Sequence, residues 1–233
     1  MGITLQKVSK IYSTGDVETV ALKEVDLEIT EGEIIVLLGP SGSGKSTLLN
    51  VCSGLDKPTS GTITIEGDVI SDMDNKQLTK FRRENLGFIF QQYNLLQTLS
   101  VKENVEVGHA VSKDPFTVEE IIEQVGLTPN MMKYPFQLSG GEQQRVSIAR
   151  AVVKKPKIIF CDEPTGALDE QNAKEVLGVI QKLNEVYGTT VVMITHNPSI
   201  GVMADRIVKL NNGEVVEIIV SNEKLPASEI IWG

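Results

Sequence analysis

Gly39-Pro40-Ser41-Gly42-Ser43-Gly44-Lys45-Ser46-Thr47 has the spacing G-x-x-x-x-G-K-[ST] of a phosphate-binding loop. Gly42 and Gly44 let the backbone turn its N–H groups inward around a β-phosphate, where the N-terminus of the next helix adds positive potential. Lys45 supplies a mobile charge, Ser46 a hydroxyl for Mg2+, and Thr47 a position near the α-phosphate. A second chemical element is Lys157-Ile-Ile-Phe-Cys-Asp-Glu-Pro164, an apolar run that ends in two carboxylates. Asp162 is expected to hold the Mg2+ shell, directly or through water, and Glu163 to polarise the water that attacks a γ-phosphate. Alone, an acidic pair at a strand end reads as a solvated turn; next to a phosphate loop it reads as chemistry. A third stretch, Leu138-Ser-Gly-Gly-Glu-Gln-Gln-Arg145, reads as a helix start with Ser139 as N-cap and two glycines that expose backbone N–H groups. It is a second anion-binding helix end. The loop at 39–47 already shapes the near side of a nucleotide, so the simplest use of Ser139, Gly140, Gly141 and Glu142 is on the ATP of a partner.

The elements that must position these groups follow from periodicity. Ile34–Leu38, Ile158–Cys161 and Val191–Thr195 are continuously apolar, as strands covered on both faces of a parallel sheet are. Ile3–Val8, Val25–Ile29, Thr62–Ile65 and Leu86–Phe90 read as further strands, bounded by Gly or Pro. Val176, Leu177, Ile180 and Leu183 mark a crossover helix over Ala173–Val186, stopped by Gly188, and the interval 97–155 reads as mostly helical. Ile207–Leu210 and Val215–Ile218 flank Asn211-Asn212-Gly213, a hairpin signal. The tail 221–233 has no periodicity and is expected to be a surface strap or a loose end. The fold class is therefore α/β.

Composition sets the boundaries. The chain has 233 residues, of which 41% are hydrophobic, enough for a buried core and too many for disorder. With 22 basic and 31 acidic residues the net charge is −9, which argues against holding nucleic acid by bulk electrostatics. Cys52 and Cys161 lie far apart in apolar company and read as buried hydrophobes in a reducing compartment rather than a disulfide. The first residues lack a basic, apolar secretory leader, and no apolar run reaches the ~18 to 20 residues of a membrane helix, so the chain is expected inside the cell without membrane insertion. His109 has no motif around it and reads as structural or exposed.

Taken in order, the motifs resemble those of the ATP-binding subunits of ABC transporters, from about Thr4 to Val216. The resemblance rests on 39–47, on Gln91 after Gly87-Phe-Ile-Phe90, on 138–145 and 158–164, on Ala167-Leu168-Asp169, and on His196 after a buried strand. It implies a P-loop ATPase core with a mostly parallel sheet, an antiparallel β subdomain, and a helical subdomain at about 97–155 inserted in one domain spanning 1–233. It also implies a head-to-tail homodimer that traps two ATP molecules and separates on hydrolysis. Within that picture Tyr12 is expected to stack on adenine, Gln91 to link Mg2+ and the attacking water to the helical lobe, His196 to contact the γ-phosphate, and Asp169 to reach the partner's phosphate loop. Gly166 stands where many members have Ser and Asn197 where many have Asp; neither change removes a catalytic group.

Gly15-Asp-Val-Glu-Thr-Val-Ala-Leu22 and Gly54-Leu-Asp-Lys-Pro-Thr-Ser-Gly61, with Gly87-Phe-Ile-Phe-Gln-Gln92 and Thr165-Gly-Ala-Leu-Asp169, resemble the subgroup serving macrolide exporters, lipoprotein-releasing complexes and antimicrobial-peptide exporters. That implies an integral membrane permease as partner and a peripheral place on the inner face of the cell membrane. Tyr93-Asn-Leu-Leu96 is the expected docking surface, with lobe packing as the plainer alternative. A soluble ABC-type ATPase of DNA repair or translation would instead show a coiled-coil insertion, a second ATP domain or a basic groove. A P-loop kinase would lack 138–145, and a GTPase would also carry an N-K-x-D base reader.

Overall fold

The structure, a computed structural model, describes residues 2–15, 17–221 and 223–232. Asp16 of the first subgroup stretch, and Asn222 and Gly233 of the tail, lie outside the described residues.

Among the described residues ten strands form two sheets. The antiparallel sheet has the order β2 (Val17–Ile29), β1 (Ile3–Thr14), β4 (Ser60–Ile65), β5 (Asp68–Val69). The larger sheet runs β10 (Glu214–Val220), β9 (Arg206–Asn211), β3 (Ile34–Leu38), β8 (Thr190–Ile194), β7 (Ile158–Asp162), β6 (Leu86–Phe90). All of its neighbouring pairs are parallel except β10 with β9, which is the expected hairpin. The α-helices that join them are α1 (Lys45–Cys52), α2 (Asn75–Asn85), α3 (Val101–His109), α4 (Val118–Gln124), α5 (Gly140–Val152) and α6 (Glu170–Tyr187).

The apolar run of β3 is explained by burial on both faces. Ile34 and Val36 pack into a cluster with Val146 of α5 and Val176, Leu177 and Ile180 of α6, while Ile35 and Leu37 pack into a second cluster with Leu48 and Leu49 of α1 and Ile3 and Leu5 of β1. Helices cover one face of the large sheet, and α1 with the antiparallel sheet covers the other. Cys52 and Cys161 are free and buried, one in each cluster, and burial pushes the Cys52 thiol up to about 12. Both are inert apolar fillers at neutral pH.

Two sequence expectations are corrected in length. β1 and β2 extend well past Ile3–Val8 and Val25–Ile29, because Lys10–Thr14 pairs with Val17–Leu22 as a ribbon in which only Leu22 is buried in the core. Positive φ at Lys7 and Glu24 and register shifts near Val8 break the alternation that would have revealed it. The tail resolves as a strap: Ala227 and Ile230 are buried, and Ala227 N donates to Gln181 Oε1 on α6.

Register decides where the chemistry goes. Phe90 pairs with Asp162, Asp162 with Ile194, and Ile194 with Leu37, so four parallel strands end in one row. Gln91, Glu163, the segment to His196, and the loop from Gly39 all leave the sheet from that row, where open α/β sheets form their binding crevices.

Candidate functional site

The loop 39–47 wraps the N-terminus of α1. Gly44 is the N-cap with φ 101°, and a Cβ there would lie 2.6 Å from Ala21 O, so only glycine fits the turn beside β2. Lys45 is 5% exposed, and its Nζ donates to Gly39 O at 2.7 Å and Pro40 O at 2.9 Å across the loop mouth. Burial lowers its proton affinity and the Glu163 charge opposes that. No side chain caps α1, so its first N–H groups are free to face an anion. A cleft of about 250 Å3 lies here, lined by Thr19–Ala21, Ser41–Thr47, Glu163 and His196.

A neighbouring cavity of about 590 Å3 is lined by Ser46, Gln91, Asp162, Glu163, Thr165, Gly166, Leu168, Thr195, His196, Asn197 and Trp232. Ser46, Glu163 and His196 face both spaces, so a triphosphate in the cleft would present its terminal group to the larger cavity. Glu163 has φ 52°, a turned backbone held by Glu163 N donating to Ile194 O and Gly166 N donating to Glu163 O. The turn sends its carboxylate to 3.1 Å from His196 Nε2. Burial raises the proton affinity of Asp162 and of Glu163, and His196 partly offsets it in both. A carboxylate shifted in that direction is closer to the proton affinity a general base needs near neutral pH. Ser46, Asp162 and Gln91 offer a hydroxyl, a carboxylate and an amide oxygen to one space. Such hard, sparse oxygen ligands suit Mg2+ that keeps phosphates and waters in its shell. Among the described residues no cluster of three or more His, Cys, Asp or Glu could hold a metal by itself.

Gln91 is exposed, and a Cβ on Gly166 would lie 2.9 Å from its Nε2, so the glycine lets the amide rest against the segment that follows Glu163. The departure noted at Gly166 therefore has a packing consequence. The loop that carries Gln91 is held from behind: Arg150 donates to Tyr93 O and Asn94 O, and Asn104 bonds Leu96 N and O. Leu95 is buried and Leu96 exposed, which splits the expected docking stretch between packing and surface.

The structure does not bring every expected residue to these cavities. Ser139 caps α5 with its Oγ accepting from Glu142 N, while Glu142 accepts from Ser139 N and from Asn130 Nδ2. Ser139, Gly140, Gly141 and Glu142 line neither space. A Cβ on Gly141 would lie 2.3 Å from Asn172 Oδ1, so α5 starts hard against α6. Asp169 caps α6 by accepting from Asn172 N and Asn172 Nδ2, an assignment that accounts locally for its residue type. Tyr12 stands outside the cleft lining but pairs in register with Thr19, which lines it. Its hydroxyl donates to Asp56, and Lys10 Nζ lies 4.8 Å from the ring centroid. His109 sits half-buried in the last turn of α3, away from both spaces.

Two residues of the region had been given no role by the sequence, Gln144 within the 138–145 motif and Trp232 outside every motif. Gln144 is fully buried, and its Nε2 donates to Phe90 O and Pro164 O, tying α5 to the ends of the segments that carry Gln91 and Glu163. Trp232 reaches the larger cavity from the tail. A buried Gln inside a polar run, and a Trp in a segment without periodicity, carry no local signal.

A strand, glycine loop and helix that cradle phosphate, beside an acidic strand end and a histidine on one sheet edge, define a P-loop nucleoside triphosphatase. The family described as ABC transporter matches residues 22–166, and the chain belongs to that family as an ATP-binding cassette, an ATPase coupled to transport. It is 45% identical to an ABC transporter ATP-binding protein of Methanocaldococcus jannaschii over 93% of this chain and 99% of that one. It is 42% identical to the bacitracin export ATP-binding protein BceA of Halalkalibacterium halodurans, over 89% of this chain and 84% of the relative. The dimer of the ATP-binding cassette MJ0796 bound to ADP and phosphate superimposes with TM-score 0.84 at 40% identity, over 94% of this chain and 98% of that chain. Some relatives are longer. The chain spans 50% of a putative ABC transporter ATP-binding protein of Mycoplasma pneumoniae (43% identical over 99% of this chain) and 36% of the macrolide export ATP-binding/permease protein MacB of Escherichia coli (40% over 97%).

Proposed function

We propose that the chain hydrolyses MgATP to drive an export-type membrane permease, working as a homodimer that closes head to tail over two nucleotides. The observation that carries the reading is the sharing of Ser46, Glu163 and His196 between the phosphate-loop cleft and the larger cavity. It gives a terminal phosphate, a base and a hydrogen-bonding partner one common place.

In this reading Gly39–Thr47 hold the phosphates, with Lys45 moving from its two loop carbonyls to the phosphate oxygens. Ser46, Asp162 and Gln91 would hold Mg2+, which would supply charge neutralisation at the phosphates. Glu163 accepts the proton of the attacking water, and His196, within hydrogen-bond reach, orients that carboxylate and contacts the γ-phosphate. Tyr12 lies against the adenine. Ser139, Gly140, Gly141 and Glu142 meet the partner copy's ATP, and Asp169 faces the partner's loop. The dimeric ADP-bound relative supports this pairing.

The helices of 97–155 form the lobe that Gln91 moves, and Leu96 on its exposed turn meets the permease. Among the described residues no helix is long and apolar enough to cross a membrane, which fits a peripheral subunit on the inner face of the cell membrane. The similarity to bacitracin and macrolide export proteins supports the export subgroup.

Glu163→Gln tests the reading. Turnover should vanish while ATP binding persists and an ATP-dependent dimer appears by light scattering. Turnover at the wild-type rate would remove Glu163 from its role.

A further inference from the structure

The single tryptophan of the chain lies outside every motif, yet it lines the larger cavity together with Gln91, Glu163 and His196. A defined path takes it there. After β10, Ser221 N donates to Asp205 O, Lys224 pairs with Asp205 at 2.9 Å, and Leu225 N donates to Val202 O at 3.0 Å. The turn Ala227–Glu229 then docks on α6, with Ala227 2% and Ile230 1% exposed. From there the chain alternates: Ile230 faces in, Ile231 is 85% exposed, and Trp232 packs half-buried against the same core cluster.

The placement matters because of scale. A cavity of about 590 Å3 is far larger than the ~30 Å3 share of one water molecule, so aligning a single attacking water depends on its walls. Most of those walls are polar or small; the indole is the largest apolar one. The cleft at 41–47 does not include Trp232.

We propose that Trp232 is a positioning residue for ATP hydrolysis, carried to the cavity by the 223–232 strap. The indole forms one apolar flank of the larger cavity, narrowing the space open to the attacking water. It leaves the nucleotide-binding cleft alone. The inference rests on the hydrolysis reading above.

The test uses the full chain with MgATP, comparing wild type, Trp232→Ala and Trp232→Phe. In Trp232→Ala, kcat should fall at least about fivefold while affinity for a fluorescent ADP analogue stays within about twofold, and Trp232→Phe should recover most of kcat. Because Trp232 is the only tryptophan, its emission reads the site directly. Adding MgATP to the Glu163→Gln chain should lower acrylamide quenching at least about twofold as the cavity closes. Wild-type kcat in Trp232→Ala, or quenching indifferent to nucleotide in a chain shown to bind it, would overturn the proposal while leaving the ATPase reading intact. Should Trp232→Ala fail to fold, the quenching experiment decides. A wild-type chain that neither binds nor hydrolyses ATP would instead overturn the ATPase reading.

Discussion

Gln144 Nε2 lies 2.9 Å from the carbonyl oxygen of Pro164. The same nitrogen lies 3.2 Å from Phe90 O, so one buried amide on α5 holds the residues next to Gln91 and Glu163 at once. Its Oε1 has no hydrogen-bond partner among the described residues, so the side chain is held there by its donor. The helix that begins at 140 is thereby joined to both segments through one side chain. Gln144→Leu should leave two carbonyls unpaired and cost about 1 to 3 kcal/mol. Thermal melts should show a drop of several degrees, and steady-state kinetics should show kcat falling more than nucleotide affinity. Equal loss in both would reduce Gln144 to a core residue.

Lys45→Ala tests the phosphate cradle. The ammonium is desolvated and bonded only to the Gly39 and Pro40 carbonyls, so its removal should change the melting temperature little. Calorimetric titration with ATP should show affinity reduced at least about tenfold, the equivalent of ~1.4 kcal/mol. Retained affinity would place the phosphates elsewhere.

Arg206 and Glu33 form an ion pair between β9 and the turn before β3. Glu33 is 8% exposed, and its carboxylate also accepts from Thr30 N. The Glu33 hydrogen bond raises the proton affinity of Arg206 still further. Arg206→Ala strands a buried carboxylate and should destabilise by about 3 kcal/mol. In urea melts, Arg206→Ala with Glu33→Gln should recover part of that loss; a double variant no better than the single would argue against the pair.

Lys154 concerns pH. Burial pushes its ammonium down to about 8, from 10.5 in an exposed chain. Below pH 8 both folded and unfolded chains are protonated and the folded state carries the full desolvation cost. As pH rises from 8 to 10.5 the folded state deprotonates first and the cost fades. Lys154→Met should therefore stabilise by about 1 to 3 kcal/mol at pH 7, with the advantage shrinking above pH 8. A gain independent of pH would point to packing alone.

The parallel core was legible because β3, β7 and β8 are apolar on both faces, and the chemical residues because their motifs fix strand ends and helix starts. The outer half of the β1–β2 ribbon was not, since most of its residues are exposed and bulges break the alternation. The helix α2 went unread for a similar reason: in NKQLTKFRREN only Leu78 and Phe81 are buried. At the site, Gln91, Glu163 and His196 meet as their positions suggested, whereas Gln144 and Trp232 matter through long-range packing. Asp169 shows the reverse, a motif residue whose immediate partner is its own helix end.

The row Phe90, Asp162, Ile194 and Leu37 also makes the large sheet a ruler for chain length. Sliding any one of these strands by a single residue would carry its loop about 3.3 Å from the others and turn its side chains to the wrong face. The opposite edge is where the backbone of Lys157 bonds Asn85 O and Thr190 bonds Lys157 O, at the far ends of the strands from Gln91, Glu163 and Gly39. A change of loop length at that edge leaves the row in register, while one in a connection leaving the row displaces a residue of the site. The fold thus offers one margin for variation and keeps the other fixed.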